Sequence, residues 1–167
     1  MAETQLRKYA VIERLGKMAV DVIGGTPDIA EATYSTGDLM AEAETISNAV
    51  SVLGGTCILQ SIVAIDTSDT GGTITLIISD GALDYGTVGS AVNTTDANSD
   101  NTFAIVEISN FTDIGGSKIG IKSNIGLCLK ASSTTKDLYY GVINTSGGDI
   151  VIGSGEDILF KFGVVKD

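Results

Sequence analysis

The residues best suited to bind a ligand form a run of oxygen-bearing side chains near the middle of the chain. A calcium loop places side-chain oxygen ligands at positions 1, 3, 5 and 12, with a backbone carbonyl at position 7. Counted from residue 96, these positions hold Asp96, Asn98, Asp100 and Glu107. Position 6 is an asparagine instead of glycine, and residues 103–108 have the pattern of a strand, which would carry Glu107 away. The sequence therefore leaves two interpretations open: a calcium site, or a polar loop that enters a strand.

Catalytic chemistry has little support in the composition. The chain has no histidine, which excludes Ser-His and Cys-His pairs and histidine-ligated metals. The phosphate-binding patterns GxGxxG and GxxxxGK[ST] are both missing. A carboxylate pair for glycoside hydrolysis remains an alternative because acids are numerous, although the chain has no Trp to stack on a sugar. We therefore predict a protein that is not an enzyme, with no catalytic residue and no organic cofactor.

Charge is distributed very unevenly along the 167 residues, whose net charge is −11. Residues 18–117 contain fourteen acids and no Lys or Arg, whereas residues 118–167 contain six Lys and five acids. The bases of the N-terminal segment are Arg7, Lys8, Arg14 and Lys17. An acidic body repels nucleic acid and anionic membranes, so neither is a predicted partner. The four N-terminal bases are candidate contacts to an acidic patch on another protein.

The N-terminal segment differs in pattern from the rest of the chain. Apolar residues at Ile12, Leu15, Ala19 and Val22 have helical spacing, and Gly24, Gly25 and then Pro27 would end such a helix. Residues 18–23 could equally be a first strand. The predicted organisation is an arm over residues 1–25, helical or extended, followed by a domain over residues 26–167.

Residues 26–167 are patterned as short strands separated by turns. Residues 57–65 and 73–79 are rich in Ile, Val, Leu and Thr, and they flank a polar turn in which Asp66 and Asp69 could close Asx turns or meet a cation. We expect these two strands to form a central hairpin. Further strands are predicted within residues 41–52 and at residues 102–108, 118–122, 126–131, 138–144 and 157–165. Eight to ten such strands predict an all-β fold, an antiparallel β-sandwich of jelly-roll type.

Two cysteines and a tyrosine pair lie in predicted strands. Cys57 and Cys128 are predicted to be buried thiols, with a disulfide as the alternative if their strands are neighbours. Tyr139 and Tyr140 should point to opposite faces of their strand, one toward the core. The N-terminus lacks the apolar run of a signal peptide and no segment is apolar enough to span a membrane, which predicts synthesis in the cytoplasm.

Several short segments, taken in order, resemble a family of small virion proteins of tailed bacteriophages. The matching segments are TPDIAEATYSTGDLM at 26–40, NAVSVLGGTCILQSIVAID at 48–66, NIGLCLKA at 124–131, LYYGVI at 138–143 and DILFKFGVVKD at 157–167. The resemblance covers residues 26–167 with the order preserved, and residues 1–25 lie outside it. It identifies the chain as similar to head decoration, or cement, proteins.

The resemblance implies a structural role in the virion without enzymatic activity. A cement protein of this kind is a β-sandwich on the outside of the head, binds the major capsid protein, stabilises the shell and is often a homotrimer at threefold positions. The implied localisation is the capsid surface. The alternatives are a host-binding head fibre or adhesin tip, or a cellular glycan- or calcium-binding β-sandwich module.

Overall fold

The computed structural model describes residues 19–155 and 157–166, which fold as an antiparallel β-sandwich. The strands are β1 Ala19–Gly25, β2 Ala32–Tyr34, β3 Leu39–Ile46, β4 Thr56–Asp66, β5 Ile74–Ser79, β6 Thr102–Ile108, β7 Thr112–Asp113, β8 Lys118–Lys130, β9 Leu138–Asn144, β10 Ile150–Ile152 and β11 Ile158–Lys166. A helical turn, α1 Asp96–Asp100, precedes β6. The predicted all-β fold class is confirmed.

The strand pairing defines the topology. One sheet has the order β1-β11-β4-β8-β7 and the other the order β3-β9-β5-β6, with β2 and β10 as a separate two-stranded ribbon. The antiparallel pairs β1–β11, β3–β9, β4–β8 and β5–β6 are nested in the sequence, the outermost strands pairing with each other and the innermost with each other. A ribbon of four nested pairs wound into two packed sheets is the jelly roll.

The central pair of strands, β4 and β5, is not a hairpin. β4 pairs with β8 and β11 in the five-stranded sheet, whereas β5 pairs with β6 and β9 in the four-stranded sheet. The hairpin prediction was therefore wrong: the polar turn carries the chain from one sheet to the other. Two apolar strands joined by a seven-residue turn look alike in sequence whether they pair or cross over, because partner strands are chosen by distant residues.

The first described strand, β1, belongs to the sandwich. It pairs with β11 along its whole length, from Ala19 opposite Lys166 to Gly25 opposite Phe160. Of the two alternatives for residues 18–23, the described part thus forms the strand. The four basic side chains predicted for the arm, at residues 7, 8, 14 and 17, lie outside the described residues.

The long strand β8 corresponds to two shorter predicted strands. Its pairing with β4 jumps from Leu127 opposite Leu59 to Ser123 opposite Ser61. Asn124 and Gly126, in the skipped stretch, have positive φ angles of 56° and 68°. The strand therefore continues through a bulge of the kind that glycine and asparagine tolerate, and this bulge is why the sequence pattern breaks there.

Aromatic side chains join the two sheets in the core. Tyr140 on β9 packs edge-on against Phe160 on β11, with ring centroids 5.7 Å apart, and lies 5.1 Å from the ring of Phe162. Gly25 fits beside them because a Cβ there would lie 2.7 Å from the Tyr140 hydroxyl oxygen and 2.9 Å from Phe162. All three rings are buried. The prediction that one tyrosine of the 139–140 pair faces the core is confirmed, while Tyr139 is half-buried.

Within the described chain no helix is long enough or apolar enough to cross a lipid bilayer.

Candidate functional site

The four residues predicted to bind calcium lie on two different elements. Asp96, Asn98 and Asp100 belong to α1, whose N-cap is Thr95. Glu107 lies on β6 opposite Thr75, separated from α1 by five strand residues. The side-chain amide of Asn98 donates to the Asp84 carbonyl oxygen at 2.5 Å, so this residue anchors the preceding loop.

Metal-binding geometry is not found elsewhere in the described residues either. No group of three or more Asp, Glu, Cys or His side chains there is arranged to hold a metal ion. Calcium binding at residues 96, 98, 100 and 107 stays a prediction. It is tested by measuring whether added calcium raises the melting temperature of the protein.

Asp66 and Asp69 serve the turn between the sheets. The Asp66 carboxylate is buried and accepts hydrogen bonds from the backbone N–H of Ser68 at 2.9 Å and of Gly71 at 2.6 Å. Asp69 has a positive φ of 59° and its carboxylate lies 3.9 Å from the Lys118 ammonium. The turn interpretation is confirmed for Asp66, whereas Asp69 pairs with Lys118 of the chain itself.

The two cysteines lie on neighbouring strands but face opposite sides of the sheet. Cys57 is opposite Leu129, and Cys128 is opposite Ile58, so the two cysteines occupy adjacent register positions of the strand pair. Side chains alternate between faces along a strand, which places Cys57 in the core and Cys128 at the surface. The alternative of a disulfide between them is therefore wrong, and so is the expectation that Cys128 is buried.

Asn144 is a buried polar residue that no sequence pattern indicated. Its side-chain amide donates to the carbonyl oxygens of Tyr34 at 2.7 Å and Gly148 at 3.0 Å, and its Oδ1 accepts from the Ser146 N–H at 2.9 Å. It thereby ties β2 to the turn between β9 and β10. In the sequence the only sign is a polar residue at the end of an apolar strand, which is too common to single out.

Four ionisable groups of the described chain have shifted pKa values. Burial raises the pKa of Tyr34, Tyr140 and Asp157; the charge of Asp28 also raises the pKa of Tyr34 and Asp157, and the charges of Glu44 and Asp157 also raise that of Tyr140. The hydrogen bond from Lys166 Nζ, 2.7 Å from Asp21 Oδ2, lowers the pKa of Asp21.

The two sheets differ in what covers their outer sides. Over the four-stranded sheet, residues 80–95 fold back and bury Tyr85 against Leu39, Ile77 and Ile143. This segment explains why every residue of β5 is buried, both those that point toward the core and those that point away from it. On the five-stranded sheet, outward side chains remain exposed, among them Val20, Val22 and Ile121.

The outward side of the five-stranded sheet, called here the outer face, has aliphatic side chains on both sides of a polar row formed by Ser61 and Ser123, and it has no carboxylate among the described strand residues. Register and alternation place on it Val20 and Val22 of β1, Ile58 and Val63 of β4, Ile121 of β8 and Val165 of β11. Its charged side chains in the described strands are Lys130 and Lys161, both exposed. The largest exposed apolar patch of a monomer is typically a few hundred Å² and is often functional. The outer face is therefore our candidate functional site, as a surface for protein contacts.

The outer face leaves a sign in the sequence, although we predicted no surface from it. β4 and β11 carry aliphatic residues at consecutive positions, where a strand with one solvent-exposed face would alternate aliphatic with polar residues. Such a run indicates burial on both faces.

No protein-family model matches the chain, and no curated protein is similar to it in sequence. Among solved structures, the capsid of Ralstonia phage GP4 is similar at 19% identity and a TM-score of 0.41, over 91% of this chain and 86% of that one. The PRD1 vertex protein P5 is similar at 10% identity and a TM-score of 0.39, over 87% and 96%. The globular domain of zebrafish complement 1qA protein is similar at 9% identity and a TM-score of 0.38, over 90% and 97%. At these values the likenesses carry no conclusion about function.

Proposed function

We propose that this protein is a non-enzymatic structural component of a virion, a decoration or cement protein that binds the outside of the head and stabilises the shell as a homotrimer. The observation that carries the proposal is the outer face, where the aliphatic side chains of Val20, Val22 and Ile121 stay exposed. A surface of this kind serves protein contacts.

The resemblance to tailed-phage head proteins supports the same proposal. The resembling segments include β4, the second half of β8, nearly all of β9 and β11. These strands come from both sheets, so the resemblance runs through the framework of the sandwich. The implied partners are the major capsid protein and further copies of this chain.

Stabilisation by such a protein would come from many modest contacts. Each copy contributes little alone, but copies linked within a trimer bind together, and effective concentration multiplies their affinity. The jelly roll provides a rigid body for this role, because nearly all its strands are hydrogen-bonded to neighbours within one of two packed sheets.

The proposal is tested by adding purified protein to heads that lack it. Binding should saturate at a fixed ratio to the major capsid protein, and decorated heads should withstand heat or low salt better than bare ones. Binding that does not saturate, or no gain in head stability, would contradict the proposal.

The N-terminal bases belong to the same proposal as contacts to an acidic patch of the shell or of a neighbouring subunit. The deletion that tests them ends at residue 18, because residues 19–25 form β1 and their loss would damage the sheet. We expect a chain lacking residues 1–18, or one with Arg7, Lys8, Arg14 and Lys17 all changed to Gln, to bind heads more weakly and with less dependence on salt. Undiminished binding of both variants would exclude the arm as a contact.

A further inference from the structure

We propose that the cleft at one end of the sandwich, where β5 and β8 end and β6 begins, is a binding site for a neutral sugar. The inference goes beyond the proposed virion role and does not depend on it, because the cleft lies within a single chain.

The cleft is bounded by strand ends from both sheets and by two loops. It encloses about 570 Å³, which falls within the usual range of small-molecule sites, about 300–1,000 Å³. Its lining comes from the β3–β4 loop, the residue after β5, the start of β6, the end of β8 and the β8–β9 loop. The side chains that matter for binding are Leu53, Asp80, Phe103, Lys130, Ser132 and Ser133.

Backbone hydrogen bonds between the two loops hold one wall of the cleft in place. The Gly54 N–H donates to the Thr135 carbonyl oxygen at 3.0 Å, and the Ala131 N–H donates to the Gly55 carbonyl oxygen at 3.1 Å. Gly54 has a φ of 65°, and a Cβ there would lie 3.1 Å from the Ser133 Cα. The loops are therefore closely packed, and a ligand would meet a site that is already formed, which lowers the entropic cost of binding.

Two side chains of opposite charge line the cleft without pairing with each other. Among the described residues, neither the Asp80 carboxylate nor the Lys130 ammonium forms a salt bridge. The carboxylate can only accept hydrogen bonds and the ammonium can only donate them, whereas the hydroxyls of Ser132 and Ser133 can do both. A ligand that satisfies these groups must itself both donate and accept, as the hydroxyl groups of a sugar do.

Apolar surface beside these polar groups suits the faces of a sugar ring. Leu53 and Phe103 are 62% and 41% exposed, although both are large apolar side chains. A pyranose ring carries hydroxyls around its rim and C–H groups on its faces, and the negative face of an aromatic ring attracts such C–H groups. The cleft thus offers both kinds of contact that a sugar makes.

Charge favours a neutral sugar over an acidic one. The lining contributes one negative and one positive side chain, Asp80 and Lys130, so the cleft does not require a ligand with a net charge. The whole chain has a net charge of −11, which repels sugars that carry carboxylates. A zwitterion such as an amino acid is the competing ligand, and free phenylalanine serves as its probe.

The test is a titration of the isotope-labelled full-length protein with neutral sugars, followed by NMR through the chemical shifts of the backbone amides. The probes are glucose, galactose, rhamnose and N-acetylglucosamine, each added to about 50 mM, where a site of millimolar Kd is mostly occupied. At least one of them should shift the amides of Gly54, Asp80, Phe103 and Ser133 in a saturable way, while amides far from the cleft stay unchanged.

Variants of the lining should weaken the binding of that sugar. Asp80→Asn removes a charged acceptor and Phe103→Ala removes apolar contact, so each should raise the Kd at least about tenfold. Both side chains are partly exposed, so both variants should keep the wild-type amide spectrum away from the cleft. The matched controls are Asp149→Asn, on an exposed aspartate before β10, and Val151→Ala, on an exposed valine of β10. Both controls should keep the wild-type Kd.

The absence of saturable shifts at these amides with all four sugars would overturn the inference. Binding that Asp80→Asn and Phe103→Ala leave unchanged would also overturn it, because the sugar would then lie elsewhere. Shifts at the same amides with free phenylalanine and with none of the sugars would assign the cleft to a zwitterion instead. These measurements use no virion, so a failure here leaves the virion role standing, and a failure to bind heads leaves the sugar site standing.

Discussion

Several aspartates in the described chain hold turns through their carboxylates. The side chains of Asp66, Asp84, Asp113 and Asp137 each accept a hydrogen bond from a backbone N–H in a turn, at 2.7–2.9 Å to Ser68, Gly86, Gly115 and Asn48. Aspartate is favoured in turns for this reason. These four aspartates therefore have a structural role in the backbone around them.

Asp157 gives a pH-dependent prediction. Burial raises its pKa, which means that the folded chain binds this proton more tightly than the unfolded chain. Its ionised form is thus unfavourable for folding at neutral pH, and the penalty disappears as pH falls below the pKa of an ordinary carboxyl, about 3.9. Asp157→Asn keeps an oxygen to accept from the Ile158 N–H.

We expect Asp157→Asn to raise the free energy of unfolding at pH 7 by less than about 1 kcal/mol, since the side chain is only partly buried and solvent screens its charge. At pH 3 the variant and the wild type should unfold at the same temperature. Thermal melts at both pH values check this, and a variant that is less stable than the wild type at pH 7 would contradict it.

Replacing the buried residue Asn144 tests the hydrogen bonds that its side chain makes between β2 and the turn after β9. Asn144→Asp keeps the shape but removes the two N–H donors that reach the carbonyls of Tyr34 and Gly148. It also places an ionised group where the exposed fraction is 0%. We expect a loss of at least about 2 kcal/mol at pH 7, measured by urea unfolding. The loss should shrink at acid pH, where the carboxyl is protonated, and a loss independent of pH would count against this explanation.

At the scale of elements, the sandwich is held by side chains that join its two sheets. The aromatic group formed by Tyr140, Phe160 and Phe162 links β9 with β11, which otherwise belong to different sheets. Phe162 has an exposed fraction of 0%.

Phe162→Ala should therefore cost about 3–5 kcal/mol in the free energy of unfolding, from lost apolar burial plus the cavity left between the sheets. Val151→Ala, on an exposed side chain, should change it by less than about 0.5 kcal/mol. Denaturant unfolding measures both, and equal losses in the two variants would show that the core is not centred on this group.

The positions of many strands could be predicted from local pattern, but their partners could not. The alternation at residues 102–108 and the apolar run at 138–144 coincide with β6 and β9. Which strand lies beside β4 depends on residues more than fifty positions away, as with Ile58 opposite Cys128, so the crossover between β4 and β5 was missed. The three-residue strands β2 and β10 were missed because they are stabilised by each other and have almost no pattern of their own.

The candidate site was harder to predict than the strand partners, because its residues come together only when several strands assemble into a sheet. Val22, Val63 and Ile121 come from three strands that meet only in the folded sheet. The calcium pattern at residues 96–107, by contrast, is local in sequence, and the fold separates Glu107 from the other three residues.

At the scale of the whole molecule, the strand lysines are confined to one sheet. Of the six lysines in residues 118–167, five lie on β8 and β11 of the five-stranded sheet, whereas β3, β5, β6 and β9 have none. The acids are not confined in this way, because the described strands of each sheet carry three of them. The proposed binding to a shell would therefore use the lysine-bearing sheet for contacts to an acidic surface.

The measurement that tests the central claim most directly is quantitative mass spectrometry of gradient-purified virions from the source of this sequence, reporting copies of this chain per copy of the major capsid protein. A decoration protein should be present at a ratio near one or at a simple fraction such as one third. A few copies per virion would favour a fibre or adhesin tip instead. Complete absence from the particles would contradict a structural role in the virion.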